Sequence, residues 1–89
     1  MDLKFENSFK RDLKKIKDKD ILEEIKKLIE ELEKIKELKE FRGDLKKLRS
    51  GKNFWRIRIG DYRIGLEIEG NILIFVRILP RKEIYKYFP

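Results

Sequence analysis

Residues 53–70, NFWRIRIGDYRIGLEIEG, decide the fold. Isoleucine and arginine alternate up to Ile59, Gly60-Asp61 interrupts them, and alternation resumes at Tyr62. Period-two alternation on both sides of a Gly-Asp pair predicts a β-hairpin with a two-residue turn. Its strands would be 54–59 and 62–68. Side chains then sort by face. Ile57, Ile59, Tyr62, Ile64, Leu66 and Ile68 share one side, while Arg56, Arg58, Arg63, Gly65 and Glu67 share the other. The turn sets Arg58 opposite Arg63, and like charges so placed cost roughly a few tenths of a kcal/mol or more. Stability does not account for that pairing. A face built to hold something negative does. Trp55 falls on the apolar side and reads as core.

Toward the C-terminus, residues 72–79 are apolar on both faces and read as a well-covered strand. Pro80 ends it, and RKEIYKYFP follows. The connection before it can be drawn in two ways. A two-residue Gly70-Asn71 loop would throw Arg77 onto the core face. A three-residue loop, 69–71, keeps Arg77 with the other arginines and is preferred, because an unpaired buried arginine is costly.

Toward the N-terminus the period lengthens from 2 to 3.6. The basic segment LKKLRS (45–50) is ambiguous. Ile21, Leu22, Ile25, Leu28, Ile29, Leu32, Ile35 and Leu38 form the apolar stripe of a helix, with charges opposite, among them the i,i+4 pairs Glu23/Lys27 and Glu30/Lys34. Asp20, three residues before Glu23, reads as its N-cap. The stripe is too short for a coiled coil and is expected to pack on the chain's own sheet. Phe9, Leu13 and Ile16 mark a shorter helix capped by Asn7 or Ser8. The short linker predicts an antiparallel helical hairpin. Residues 3–5 read as a first strand. The sum is an α+β fold in one domain spanning 1–89, with an N-terminal strand and helical hairpin packed on a twisted antiparallel sheet. The sheet's other face is a basic concavity.

Composition narrows the chemistry. The 89 residues contain no cysteine and no histidine, which removes disulfides, thiolate chemistry and the usual neutral-pH base and metal ligand. No metal and no cofactor is expected. No apolar run reaches transmembrane length and the start lacks a signal peptide, so the expected location is cytoplasmic, with no membrane partner. Lys/Glu enrichment without glutamine matches a thermophile's bias, and an AT-rich genome gives a similar one. The net charge of +7 is uneven. Residues 1–40 carry 12 basic and 12 acidic side chains, whereas residues 41–89 carry 12 basic and 5 acidic. That asymmetry points to nucleic acid.

The order of elements, with the segments LKKLRSGKNFWRIRIGDYRIGLEI and FVRILPRKEIYKYF, resembles the RelE/ParE superfamily of toxin–antitoxin toxins. The likeness covers nearly the whole chain. Its sharpest parts are DYRIGLEI and PRKEIY, whose arginines, Arg63 and Arg81, stand 18 residues apart. The RelE-like branch implies a ribosome-dependent mRNA endonuclease, an mRNA interferase. A ribose 2′-OH attacks the adjacent phosphate in the ribosomal A site and leaves a 2′,3′-cyclic phosphate and a 5′-OH. Carried over, the resemblance makes Arg63, Arg81 and Tyr85 catalytic. Arg56 and Arg58 stand where RelE has two lysines and, with Lys52, Arg77 and Lys82, would bind RNA. Arginine does not give up its proton, so 2′-OH activation would fall to Tyr85, Lys52, Lys82 or a ribosomal RNA group. The resemblance also implies a cognate RelB-like antitoxin and, for the complex, operator DNA. Two other readings stay open: a ParE-like toxin that inhibits a topoisomerase by binding, and a plain RNA-binding module. Arg63 could instead pair with Glu67 on its own strand, and Tyr85 could pack the tail with Tyr87 and Phe88.

Overall fold

The structure is a computed structural model that describes residues 1–48 and 53–89. Five strands form one sheet: β1 (Asp2–Phe5), β2 (Leu45–Lys47), β3 (Phe54–Ile59), β4 (Tyr62–Glu69) and β5 (Ile72–Pro80), in the order β1-β5-β4-β3-β2. The sheet is mixed rather than wholly antiparallel. The β2, β3, β4 and β5 neighbours pair antiparallel, but β1 runs parallel to β5, Asp2 opposite Ile72 and Phe5 opposite Phe75. Parallel pairing needs a long crossover. Two helices, the short basic strand and the hairpin supply it, and β1 comes to lie beside the last strand.

The helices between β1 and β2 are α1 (Asn7–Lys14) and α2 (Lys19–Lys34). Neither begins where the sequence suggests. Glu6 is the N-cap residue of α1, and Ser8 lies inside the helix, its Oγ donating to the Val76 carbonyl at 2.6 Å. Asp18, not Asp20, caps α2, accepting from the amides of Asp20 (2.9 Å) and Ile21 (3.3 Å). Asp20 then sits in the first turn, where its charge favours the positive end of the helix. The apolar stripe outlasts α2. Leu38 belongs to a separate single turn, Leu38–Glu40, whose Glu40 carboxylate accepts from the amides of Glu37 and Lys36. The N-terminal amine of Met1 donates to the Leu32, Glu33 and Ile35 carbonyls and so tethers β1 to the end of α2.

The main core lies between these helices and one sheet face. Phe9, Ile16, Ile25, Leu28, Leu32 and Leu38 meet Ile57, Ile59, Ile64, Leu66, Leu73, Phe75 and Ile78. Each such side chain stabilises by about 1.5–3 kcal/mol when fully buried. Phe5, Phe9 and Phe75 stack in its middle, at ring separations of 4.8–5.8 Å. Trp55 packs at the margin of this core, as alternation requires.

Both hairpin turns have two residues. Ile59 faces Tyr62 across Gly60-Asp61, and Glu69 faces Ile72 across Gly70-Asn71. Gly60 (φ 54°) and Gly70 (φ 60°) adopt the left-handed conformation such turns demand. The second turn is therefore one residue shorter than expected. The sheet still keeps Arg77 out of the core, because a bulge intervenes: Leu66 pairs with Phe75 and Gly65 with Arg77, leaving Val76 extra.

The last element, α3 (Arg81–Tyr87), covers part of the opposite face of the sheet. Ile84 is fully buried, and Phe88 seats against Gly65 and meets Phe54 edge-on at 5.4 Å. The face read as an open basic concavity is thus half roofed.

Candidate RNA phosphate site

The uncovered half of that face carries the arginines. Arg58 pairs in register with Arg63, and Arg56 with Gly65. Arg63 is 7% exposed. Its Nη1 donates to the Gly60 and Tyr62 carbonyls, both at 3.0 Å, which turns the guanidinium back over the hairpin turn. Glu67 does not pair with it. Among the described residues no carboxylate makes an ion pair with Arg58, Arg63 or Arg81. Burial, and then the charges of Arg58, Arg56 and Arg81, lower the Arg63 pKa from its ordinary value. A buried cation that repels its neighbours is costly until an anion arrives.

Arg81 opens α3, and its amide donates to the Asp61 carbonyl at 2.7 Å, which fastens the helix to the β3–β4 turn. Tyr85 lies one turn further and is 58% exposed. The side chain is therefore not packed away with the tail. Arg81, Lys82 and Arg58 are exposed.

Arg56 is held by a residue that sequence reasoning passed over. Its Nη1 donates to Asp44 Oδ1 at 2.8 Å, just before β2. Burial lowers the Arg56 pKa, but the Asp44 hydrogen bond and charge, with Tyr85, more than offset it and the net shift is upward. Arg56 Nε is buried and finds no partner among the described residues. The bond from Arg56 in turn lowers the Asp44 carboxyl pKa. A lone aspartate in the basic run FRGDLKK was the available signal, but the β2–β3 pairing that brings it to Arg56 is not local.

Arg77 does not join this cluster. It lies beyond the stretch of β5 that pairs with β1 and reaches α1, where Nε and Nη2 grip both Asp12 oxygens at 2.7 and 3.0 Å. Asp12 also accepts from the Ile78 amide at 3.1 Å, and Tyr87 covers the guanidinium at 5.4 Å. The expectation that Arg77 binds RNA thus meets a guanidinium already consumed by an internal ion pair. Lys52 lies outside the described residues. Among the described residues no group of three or more acidic side chains is placed to hold a metal ion.

Guanidinium groups on two strands and a helix thus lie on one face, and among the described residues three of them have no carboxylate partner. Forked guanidinium donors suit phosphate oxygens. Residues 3–85 match the family model described as the ParE toxin of type II toxin–antitoxin systems. The chain belongs to this toxin family. It is also 43% identical over 89 residues, all of both chains, to Toxin RelE3 of Methanocaldococcus jannaschii. Among solved structures the toxin is similar to a chain of the RelB–RelE antitoxin–toxin complex from Methanococcus jannaschii, with TM-score 0.84 and 42% identity over 97% of this chain and 99% of that one. The archaeal RelE–RelB complex from Pyrococcus horikoshii shares the fold at TM-score 0.72 and 21% identity, over 90% of this chain and 93% of that one. The resemblance read from DYRIGLEI and PRKEIY is therefore correct at the level of the family. No helix among the described residues is long and apolar enough to cross a membrane.

Proposed function

We propose that this toxin is a RelE-like, ribosome-dependent endoribonuclease that cuts mRNA in the ribosomal A site. The observation that carries the reading is Arg63: a buried guanidinium, flanked by Arg58, Arg56 and Arg81, with no carboxylate partner among the described residues. A phosphodiester on its way to a pentacoordinate phosphorane gains negative charge, and fixed guanidinium donors stabilise that gain. The 2′-oxygen attacks phosphorus, the bond to the 5′-oxygen breaks, and the products are a 2′,3′-cyclic phosphate and a 5′-OH. The proton leaves the 2′-OH and one is taken up by the departing 5′-oxygen, with no water or metal consumed.

Arg63 and Arg81 serve as the oxyanion donors, Arg58 as a second phosphate contact, and Lys82 and Lys52 as contacts to flanking nucleotides. Exposed Tyr85 offers its ring to a splayed base and its hydroxyl to the transferring proton. Asp44 is a poor proton acceptor, because the bond from Arg56 depresses its pKa; its part is to hold Arg56. The reading places much of the rate enhancement in alignment of the 2′-oxygen with phosphorus, to which the ribosome contributes. The partners are a RelB-like antitoxin, ribosome and mRNA, in the cytoplasm, with operator DNA for the toxin–antitoxin complex. An antitoxin follows from family membership and from the relatives solved as RelB–RelE complexes.

The matching family model is that of ParE, which keeps a second reading in view: a toxin that inhibits a topoisomerase without chemistry. One experiment separates them. Purified toxin is incubated with mRNA, with and without ribosomes, and 5′ ends are mapped for wild type and Arg63→Ala. The nuclease gives in-frame, ribosome-dependent cuts that vanish in the variant. No cuts from folded, antitoxin-free toxin, together with lost supercoiling activity of a topoisomerase, would establish the second.

A further inference from the structure

α3 carries three of the candidate site's residues, Arg81, Lys82 and Tyr85, yet it has seven residues, too few to be stable alone. Its position is set from outside. At its start the Arg81 amide is fastened to Asp61. At its end the Phe88 ring is 2% exposed and lies where a side chain on residue 65 would be. A Cβ built on Gly65 would fall 2.5 Å from two of the ring carbons and 2.8 Å from a third, nearer than real Cβ atoms approach. Gly65 does not share the positive φ of Gly60 and Gly70, so its backbone does not require glycine. The ring does. Phe54 closes the slot edge-on, and Ile84, one turn back, is fully buried.

We propose that Phe88, seated in the slot left by the missing side chain of Gly65, is a positioning residue of the phosphate site. It touches no reacting group. It holds α3, and with it Arg81 and Tyr85, on the sheet face that carries Arg63 and Arg56. This rests on the nuclease reading for its effect on rate, but the seating itself has an independent readout.

The test compares Phe88→Ala, Phe88→Leu, Gly65→Ala and the double variant Gly65→Ala/Phe88→Ala in the full chain. Amide hydrogen exchange reads α3, above all the Phe88 amide that donates to Ile84. Steady-state cleavage of programmed ribosomes, over a range of ribosome concentrations, reads the site through kcat and KM. Phe88→Ala is expected to lose about 10-fold or more of its exchange protection in α3 while strands β3–β5 keep theirs. Its kcat falls roughly 10–100-fold with KM for the ribosome within about 2-fold, because the sheet arginines still bind and alignment alone is lost. Phe88→Leu, which still fills the slot, recovers most of the loss. Gly65→Ala reproduces Phe88→Ala, and the double variant is no worse than either, as expected of two partners in one contact. Unchanged α3 protection in Phe88→Ala, or a loosened α3 with full kcat, overturns the proposal. Wild type that cleaves nothing overturns the nuclease reading alone; the exchange data and the coupling between positions 65 and 88 then decide the seating.

Discussion

Arg58 stands in register with Arg63 across the β3–β4 hairpin, two like charges on facing positions of one sheet face. Neither makes an ion pair with a carboxylate among the described residues. The pair opposes folding, and in the proposed nuclease it serves the RNA phosphate.

Replacing Arg63 should separate activity from stability. Arg63→Met keeps the buried volume and removes the charge that Arg58, Arg56 and Arg81 repel. Cleavage should fall at least about 100-fold, the scale of losing one oxyanion donor. Thermal unfolding should shift upward, by about 4–8 °C if the relief is worth about 1 kcal/mol. Calorimetry on both proteins decides it, and a melting temperature well below wild type would refute the account of Arg63 as an unpaid charge.

Arg77 should behave in the opposite way. Asp12→Ala leaves a guanidinium with 23% side-chain exposure unpaired and removes the acceptor of the Ile78 amide. The expected loss is about 3–5 kcal/mol in urea denaturation, as for one partner of a buried ion pair. Arg77→Met should cost less, and RNA binding by the folded fraction should change little.

Salt dependence reports phosphate contacts. Arg58→Gln should weaken binding of the toxin to single-stranded RNA about equally across sequences and flatten the plot of log affinity against log salt by roughly 0.7. An unchanged slope would remove Arg58 from the phosphate contacts.

The Asp44–Arg56 tether should be acid-sensitive. The bond from Arg56 lowers the folded-state pKa of Asp44 below its ordinary 3.8. A depressed carboxylate contributes stability above its unfolded-state pKa and loses it as pH falls through the folded-state value. The contribution is therefore whole above about pH 4 and lost at more acid values. Melting curves of wild type and Asp44→Asn, taken from pH 6 down to pH 2, should converge at the acid end. A gap that persists there would mean that Asp44 acts through something other than its charge.

The site was partly legible. Alternation around Gly60-Asp61 placed Arg56, Arg58 and Arg63 on one face, because a strand's side chains switch sides at every residue and a two-residue turn leaves no slack. The helix positions were legible for a similar reason, since the stripe from Ile21 onward obeys one local period. Helix ends were less so. Asp18 and Asp20 are both good caps, and the backbone path into α2 chooses between them. Arg77 shows where local rules stop. Its face depended on a loop length and on a bulge at Val76, two irregularities that offset each other. Its role depended on Asp12, 65 residues away.

Sequence by itself therefore determined the sheet's two chemical faces, the helical layer and the family, since each is written in short-range periods and motifs. Tertiary structure alone decided which arginines remain free. Asp44 takes Arg56, Asp12 takes Arg77, Phe88 fills the space above Gly65, and Arg63 is left buried among cations. Those outcomes rest on contacts between distant segments, and a charge's partner is set by what the fold brings within about 3 Å of it, not by what stands beside it in the chain.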